Sequence, residues 1–282
     1  MNISVLIPTW KRAEQLSGTL ERILACDPPP HEVIIHVDGG DQETPLMLHR
    51  EFSNRVRWVV AEHTRGPGGG RNVLASLAQG DLLVCLDDDS WPEDTDFFSR
   101  LERVALEHPQ AAVFAAAVSL PSHSGAPPIL ESAVQPVSSF ENSGAVIRRE
   151  EFLSTSGYLP LRHAYGMEET DVSLQLLDQG WEILMVRELR VFHDSALGHH
   201  SSRGVNAAHI RNIGLLAFLR YPVLFWPLGF AQVLNRVRYS ICTRRFNGIL
   251  EGLLTIPRDC WIYRHQRRPV KCETIRKSRR LR

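Results

Sequence analysis

Short apolar segments alternate with amphipathic segments through the first 90 residues of the chain. The apolar runs are Ile3–Ile7, Val33–Val37, Val56–Ala61 and Leu82–Leu86. Between them, apolar residues recur at helical spacing, most clearly over residues 12–25. Strands that are apolar along their whole length are typical of parallel sheets covered by helices on both faces. The chain is therefore predicted to begin with an α/β fold.

Each of these predicted strands ends in a polar or glycine-rich loop. The loops contain Pro8-Thr9, Asp38, Gly66–Gly70 and Asp87–Asp89. In open α/β sheets the ligand binds beyond the carboxyl ends of the strands. These loops, although distant in sequence, are therefore expected to line one crevice.

The pattern continues less regularly over the next hundred residues. Further helices are predicted over 95–107 and 168–179, and further strands over Ala111–Val118, Gly144–Ile147 and Leu189–Phe192. From about residue 204 the chain consists of apolar helical segments with interspersed arginines. The prediction is a mostly parallel sheet flanked by helices, with a helical C-terminal appendage.

Asp87, Asp88 and Asp89 are the clearest chemical signal in the sequence. Three adjacent carboxylates repel one another unless a cation offsets their charge. In an extended backbone the side chains of residues 87 and 89 point the same way. Carboxylate oxygens suit Mg²⁺ or Mn²⁺, ions that commonly bridge to phosphates. A divalent metal site is predicted here, with a solvated acidic turn as the alternative.

The segment Gly66–Asn72 contains four glycines followed by Arg71. Glycines allow close backbone approach to a ligand, and a helix beginning after them would offer N–H groups to a phosphate. Arg71 would add a charge-assisted donor. The segment matches neither the dinucleotide-binding pattern nor a P-loop. A flexible connection is the alternative.

Two later segments complete the candidate site. Glu168, Glu169 and Asp171 head a predicted helix, where acids favour the helix dipole and where one carboxylate could deprotonate an acceptor hydroxyl. His193 follows the last predicted strand and could join the metal ligands, with His199 and His200 as weaker candidates.

Charge is distributed unevenly although the formal net charge is zero. Residues 236–282 contain 14 Lys or Arg and 3 Asp or Glu, a net charge of +11, so the remainder carries −11. A basic segment indicates an anionic partner, either lipid headgroups or nucleic acid. Because no recognition motif for nucleic acid accompanies it, lipid is favoured.

The location of the chain is predicted from its cysteines and its first residues. The five cysteines are scattered and form no C-x-x-C pair, a usage typical of reduced thiols. Met1 leads directly into the first apolar run without the pattern of a signal peptide. A cytoplasmic location is expected, with peripheral attachment to the inner face of the plasma membrane.

Residues 213–234 are strongly apolar but are interrupted by Arg220, Pro222 and Pro227. A membrane-spanning helix needs about 20 predominantly apolar residues, so a clean span is not expected. In-plane attachment is predicted instead, with Phe225, Trp226 and Phe230 dipping into the bilayer and the basic segment reaching anionic lipid. Packing on the α/β domain, or a homodimer, is the alternative.

Seven segments in order resemble the glycosyltransferases of family 2, which have the GT-A (Rossmann-like) fold. The resemblance covers roughly residues 2–200. It is carried by Val5–Thr9, Val37–Gly40, Gly70–Asn72, Gly80–Asp81 leading to Leu86–Asp89, Gly144–Val146, Glu168–Asp171 and the strand ending at His193. Each segment alone is weak, whereas the ordered set is difficult to produce by chance.

The resemblance implies a role for each matching residue. Thr9 and Arg12, with Pro8, would meet the nucleotide, Asp38 would read the base, and Arg71 would contact nucleotide or diphosphate. Asp87 and Asp89 resemble the family's Asp-x-Asp pair, with Asp89 the more direct metal ligand, His193 completing the site and Asp88 beside the nucleotide. Glu169 aligns with the catalytic base, although the family usually has Asp there, so Glu168 and Asp171 remain alternatives.

The implied activity is transfer, with inversion, of a sugar from a nucleoside-diphosphate sugar to the hydroxyl of a glycan or lipid-linked glycan. The predicted domains are a catalytic domain over 1–203, divided into a nucleotide-binding half (1–118) and an acceptor half (119–203), and a helical basic segment over 204–282. A sugar nucleotidyltransferase is a second candidate, although its glycine-rich signature usually follows the first strand. A non-catalytic sugar-nucleotide-binding scaffold is a third.

Overall fold

The structure is a computed structural model that describes residues 1–121, 134–161, 166–195 and 202–281. Within these ranges a single nine-stranded sheet runs through the molecule in the order β3-β2-β1-β4-β8-β6-β9-β5, and β7 pairs with β9 outside this path. Helices cover both faces of the sheet. The predicted α/β fold with a helical C-terminal region is confirmed.

The first half of the sheet is parallel, as predicted. It consists of β1 (Ile3–Thr9), β2 (Glu32–Val37), β3 (Arg57–Val60) and β4 (Leu82–Cys85). The intervening helices are α1 (Ala13–Leu24), α2 (Glu43–Phe52) and α3 (Gly66–Leu77), and α4 (Phe97–Glu107) follows. Because β2 and β4 lie on opposite sides of β1, the chain order reverses at β1, where a ligand crevice opens in α/β sheets.

The second half of the sheet is mixed rather than parallel. It contains β5 (Ser90–Pro92), β6 (Ala111–Ser119), β7 (Val134–Pro136), β8 (Ala145–Arg148) and β9 (Glu182–His193), with α5 (Arg149–Leu153) and α6 (Glu168–Asp178) between β8 and β9. Strand β8 runs antiparallel to both β4 and β6. Two of these strands, β5 and β7, were not predicted, because three residues are too few to show a period.

Alternate residues of the central strands enter two separate cores. On β1, Val5 and Ile7 pack with α1, α2 and α4 on one face, whereas Leu6 packs with α3, α5 and α6 on the other. All three side chains are at most 1% exposed. Burial of both faces explains why these strands show continuous apolar runs instead of alternation.

Helix α3 begins earlier than predicted. The glycine-rich segment, which was expected to be a loop before a helix at residue 71, forms the first turns of the helix from Gly66 onward. Pro67 favours this start because its fixed φ suits the first turn. Gly70 lies against the buried His36, and a Cβ there would come within 2.8 Å of His36 Nδ1. Close packing of helix on sheet therefore requires this glycine.

The C-terminal region forms four helices, α7 (Arg203–Arg220), α8 (Trp226–Cys242), α9 (Ile249–Ile262) and α10 (Cys272–Arg280). Helix α7 is largely buried and packs against both α8 and α9. Helix α10 folds back onto α6, where Thr274 Oγ1 and Lys271 N donate to Asp178 Oδ1 at 2.6 and 2.7 Å. The described part of the chain contains no helix with the length and apolar character of a membrane span.

Candidate active site

The three aspartates that follow β4 divide into two groups. Asp88 is buried and accepts hydrogen bonds from Thr9 Oγ1 at 2.8 Å and from Arg12 Nη1 at 2.6 Å. Asp87 and Asp89 have their carboxylates near His193 instead. The alternation expected for an extended backbone is therefore observed, and it leaves two carboxylates beside one imidazole.

Asp87, Asp89 and His193 form a cluster that could hold a metal ion. One potential ligand atom from each lies within 4.8 Å of the others. His193 Nε2 is 3.1 Å from Asp89 Oδ1 and 3.7 Å from Asp87 Oδ2. Asp89 Oδ1 is buried and makes no hydrogen bond of acceptable geometry with the described residues. An orphaned carboxylate oxygen in such a position fits a cation, and the donor set suits Mn²⁺ or Mg²⁺.

The end of β9 holds His193 beside the aspartates. Strand β9 pairs antiparallel with β5, and this register places His193 opposite Ser90. The next backbone amide, Asp194 N, donates to Asp89 O at 2.9 Å. The position of the imidazole is thus fixed by sheet hydrogen bonds. His199 and His200, the weaker ligand candidates, lie outside the described residues.

Burial and mutual repulsion give the clustered groups unusual acidities. Burial raises the pKa of Asp88 to about 6, against the opposing effect of Arg12. Burial also disfavours the charged form of Asp89, but the neighbouring side chains of His193 and Arg12 outweigh it and lower the pKa of Asp89. The pKa of His193 is raised because Asp89 and Asp87 outweigh its desolvation. The cluster therefore favours a positive charge among its carboxylates.

Arg12 is the cation that the structure places against Asp88 and Asp89. Its guanidinium bridges Asp88 Oδ1 at 2.6 Å and Asp89 Oδ2 at 2.7 Å, and its side chain is 41% exposed. The preceding Lys11 has a positive φ of 55°, which sharpens the turn after β1. Thr9 and Arg12 are thus brought to the crevice as predicted, and Pro8 lies behind them within β1, beside Gly70.

Asp38 has a structural task at the end of β2. Its carboxylate accepts hydrogen bonds from the backbone amides of Arg65 at 2.7 Å and Gly66 at 3.1 Å. It therefore joins the loop after β2 to the start of α3. The two segments approach so closely that a Cβ on Gly39 would lie 2.6 Å from the carbonyl carbon of His63. Base reading by Asp38 stays a prediction.

Arg71 is buried beneath the site rather than exposed in the crevice. Its residue is 2% exposed, and its guanidinium pairs with the carboxylate of Asp87. Burial opposes the charged form, but Asp87 outweighs it and raises the pKa of Arg71. The arginine is therefore committed to orienting a candidate metal ligand, and its direct contact with a diphosphate stays a prediction.

Glu168 and Glu169 begin α6 and face the same polar region. Burial, reinforced by the charge of Glu169, raises the pKa of Glu168 to about 7. Burial also raises the pKa of Glu169. Glu169 Oε1 accepts a hydrogen bond at 2.9 Å from Asn142, whose own oxygen accepts from the buried Tyr158 hydroxyl. The charges of Arg71 and Asp87 act on both glutamates, so the start of α6 lies within electrostatic reach of the aspartate–histidine cluster.

Asp171, the third candidate base, is committed elsewhere. Its carboxylate forms a two-pronged ion pair with Arg220 of α7, and both side chains are at most 5% exposed. Arg220 Nη2 also donates to Ser156 Oγ at 2.9 Å. This pair attaches the helical appendage to α6, so Asp171 is a poor candidate for proton transfer.

Three residues near the site were missed from the sequence. Asn142 lies in a short 3₁₀ turn before β8, Tyr158 is a fully buried aromatic, and Asn72 holds the backbone of Tyr158 through two hydrogen bonds of 2.8 and 2.9 Å. Asn72 directly follows Arg71, which is a weak signal. No signal in the sequence joins Asn142 to Glu169.

The geometry agrees with comparisons to known proteins. Residues 4–142, about half of the chain, match the family described as glycosyl transferase family 2. The chain is 29% identical over 112 residues to the succinoglycan biosynthesis protein ExoO of Rhizobium meliloti, a match that covers 40% of this chain and 32% of that protein. The chain thus spans about a third of that relative's length.

Solved structures share the fold at low sequence identity. S. aureus TarS 1–349 in complex with UDP-GlcNAc superposes with a TM-score of 0.63 at 18% identity, over 84% of this chain and 72% of that one. The mannosyltransferase PcManGT of Pyrobaculum calidifontis, in complex with GDP-Man and Mn²⁺, gives 0.61 at 16% identity, over 99% and 83%. The fold is that of GT-A glycosyltransferases, and the chain belongs to glycosyl transferase family 2.

Proposed function

We propose that this chain transfers a sugar from a nucleoside-diphosphate sugar to an acceptor hydroxyl, with inversion and with a divalent metal ion. One observation carries the proposal: the charge of Asp87, a member of the Asp87–Asp89–His193 cluster, acts on both glutamates at the start of α6, whose pKa values are raised. A cation site suits a departing diphosphate, and a carboxylate of raised pKa suits proton removal. The two requirements of glycosyl transfer therefore lie within electrostatic reach of each other.

The donor end of the proposed reaction uses the strand ends of the parallel half. Asp87, Asp89 and His193 would hold Mn²⁺ or Mg²⁺, which when bound supplies Lewis-acid stabilisation of the charge developing on the leaving diphosphate. Arg12 already contacts Asp88 and Asp89. Its guanidinium would therefore lie beside a diphosphate that binds at this site and could donate hydrogen bonds to it. Thr9, Asp38 and Asp88 would line the nucleotide.

The acceptor end uses α6. The acceptor oxygen attacks the anomeric carbon, the bond from that carbon to the phosphate oxygen breaks, and its electron pair leaves with the diphosphate. The acceptor proton passes to Glu169, which Asn142 holds by a hydrogen bond. Its raised pKa, caused by burial, brings the carboxylate closer to the ideal basicity for this step. Glu168 remains the alternative base.

The proposed acceptor is based on the name of one relative, and the proposed location on the charge of the C-terminal region. The printed name of ExoO refers to polysaccharide synthesis, which suits a glycan or lipid-linked glycan as acceptor and a role in the cell envelope. The net charge of +11 over residues 236–282 suits a peripheral position on the inner face of an anionic membrane. We retain a catalytic domain over 1–203, with halves at 1–118 and 119–203, and a helical segment over 204–282 as the proposed organisation.

Thermal unfolding with nucleotides tests the proposal. The chain is heated with UDP, GDP or dTDP, each with Mn²⁺, Mg²⁺ or chelator, as wild type, Asp89→Ala and Glu21→Ala, a matched acid exposed on α1. A ligand at 100 times its Kd stabilises the folded state by about 2.7 kcal/mol. For a protein of this size, each kcal/mol typically raises the melting temperature by about 2–4 °C. We expect a metal-dependent shift of roughly 5–10 °C with one nucleotide, lost only in Asp89→Ala.

Turnover then separates the candidate functions. Metal-dependent release of nucleoside diphosphate from a sugar nucleotide supports a transferase, whereas formation of a sugar nucleotide from sugar phosphate and nucleoside triphosphate supports a nucleotidyltransferase. Binding without turnover on acceptor glycans supports the scaffold. Absence of any nucleotide-dependent shift contradicts all three.

A further inference from the structure

Large apolar side chains are exposed mainly in one part of the molecule. Among the described residues, 19 large apolar side chains are exposed, and 12 of them lie within residues 223–262. Scattered exposed apolar residues are normal on a soluble protein, but a concentration of this kind marks an interaction surface.

Helix α8 presents a continuous outer stripe. Its buried residues Gly229, Val233 and Ser240 face inward, and Gly229 packs directly against Ala217 of α7. A neighbouring side of the helix exposes Phe230, Leu234, Arg238 and Ile241, spaced by four, four and three residues. This spacing is that of one helix face.

Helix α9 repeats the arrangement. Its buried Gly252 lies against Ala207 and Ile210 of α7. The outer side exposes Leu250, Leu254, Arg258 and Trp261, with the same spacing as the stripe of α8. Both helices pack on α7, and we call their two stripes together the outer face.

Helix α7 separates the outer face from the catalytic sheet. On its other side α7 packs Leu215 and Leu219 against Leu159, and Arg220 pairs with Asp171 of α6. The outer face therefore lies on the side of α7 away from the catalytic core and can meet a partner without covering the crevice.

The charges on the outer face are positive and unpaired. Arg238 and Arg258, which are exposed on the two stripes, have no carboxylate within ion-pair distance among the described residues. The nearby acids Glu251 and Asp259 are already paired, with Arg203 at 2.9 Å and Arg211 at 3.0 Å. A partner that buries this face must therefore supply both apolar contacts and negative charge.

An anionic bilayer surface meets both requirements. Phenylalanine, leucine and tryptophan partition into the boundary between headgroups and acyl chains, while arginine bound to phosphate stays at the headgroups. A second copy of the chain fits less well, because in a two-fold dimer the same surface meets itself and brings arginine against arginine.

We propose that the outer face of α8 and α9 docks in plane on an anionic membrane, with the catalytic sheet held away from the lipid behind α7. This surface shares Phe230 with the one predicted from the sequence, but it does not include Phe225 or the last helix of the basic segment. Phe225 is half-buried in the cluster around Leu216 and Tyr221, and α10 packs on α6 instead of reaching outward. The inference deepens the proposed function by naming how the enzyme meets a lipid-linked acceptor, but binding itself needs no catalysis.

Vesicle sedimentation with the full chain tests the docking. Wild-type protein is mixed with two kinds of vesicle. One contains phosphatidylcholine alone, and the other also contains about 30% phosphatidylglycerol, an anionic lipid. Phe230→Ser/Leu254→Ser removes two apolar contacts, and its matched control Leu46→Ser/Leu106→Ser removes two residues of similar exposure, 70% and 66%, from α2 and α4. Arg238→Gln/Arg258→Gln is matched by Arg55→Gln.

We expect wild type to bind anionic vesicles. The affinity should fall more than about tenfold in Phe230→Ser/Leu254→Ser and about fivefold for each arginine replaced. Both controls should bind like wild type. Equal binding by all variants, or none by wild type, overturns the proposal. So does a concentration-dependent dimer in sedimentation velocity that the apolar pair abolishes. Because all these substitutions are exposed, we expect them to keep the nucleotide-dependent thermal shift, so a failed docking and a failed transferase site give different results.

Discussion

The two sides of the site, which we propose to bind the donor and the acceptor, are built in different ways. On the donor side, Thr9, Asp38 and Asp87–Asp89 follow parallel strands, so the order of elements brings them to one edge of the sheet. On the acceptor side, Glu169 accepts a hydrogen bond from Asn142. Helix α6 is attached to the C-terminal region by the ion pair of Asp171 with Arg220. The donor half is thus organised by topology, whereas the acceptor half is organised by long-range side-chain contacts.

If the halves are separable, Glu169→Gln should stop transfer without affecting donor binding. Loss of a general base typically costs about 10²–10⁴-fold in rate. We therefore expect kcat to fall by that factor while the metal-dependent thermal shift with nucleotide remains. Steady-state transfer and thermal unfolding are compared with Glu21→Ala as the surface control. Loss of the nucleotide shift in Glu169→Gln would show that the two halves form a single unit.

The dependence of α6 on the C-terminal region can be tested through Arg220→Met. This change leaves the Asp171 carboxylate buried without its partner, and breaking a buried pair typically costs about 3–5 kcal/mol. Urea denaturation measures the loss. The double variant Arg220→Met/Asp171→Asn should recover part of it, and purely additive losses would mean that the two side chains are not coupled.

A change at Glu168 should make stability depend less on pH. In the folded state the pKa of Glu168 is about 7, whereas its ordinary value is 4.5. The folded protein therefore holds this proton more tightly than the unfolded chain does. The resulting stabilisation is fully present below pH 4.5 and is lost as the pH rises through 7. Glu168→Gln should therefore be more stable than wild type at pH 8, by up to roughly 3 kcal/mol, and similar near pH 4.5. Urea denaturation at pH 4.5 and 8 would show the difference, and a constant difference would contradict it.

The smallest effect is expected at Asn142. Its amide donates to Glu169 Oε1 and thereby favours the charged carboxylate. Asn142→Ala should lower kcat/KM about tenfold, equivalent to one hydrogen bond of about 1.4 kcal/mol. Because the donor is lost, the pKa of Glu169 should rise further and the acid limb of the pH–rate profile should move to higher pH. An exposed asparagine, Asn54→Ala, serves as control, and an unmoved acid limb would argue for Glu168 as the base.

The same contrast explains how much of the molecule could be predicted from its sequence. The strands of the donor half are buried on both faces, so their apolar runs were visible, and the loops after them were correctly expected to converge. Helix α3 was predicted too short because four glycines suggest a loop, whereas in the structure they begin the helix and Gly70 lets it approach β1 and β2.

On the acceptor side the sequence carried less information. Short strands such as β7 have no measurable period, and antiparallel β8 cannot be distinguished from a parallel strand by composition. The role of Asp171 depended on which residue of α7 would face it, and the fold alone decides that contact. Arg71 was singled out as a contact of the nucleotide or diphosphate, which stays a prediction, and its burial against Asp87 could not be read from its neighbours in sequence.

The ion pair between Asp171 and Arg220 also constrains how this protein can evolve. The two residues are 49 positions apart, and each is buried with the other as its charge partner. A lineage that replaces either one alone passes through an intermediate with an uncompensated charge in the interior. Exchange of the helical appendage between related enzymes therefore requires the arginine to travel with it, or both positions to change together.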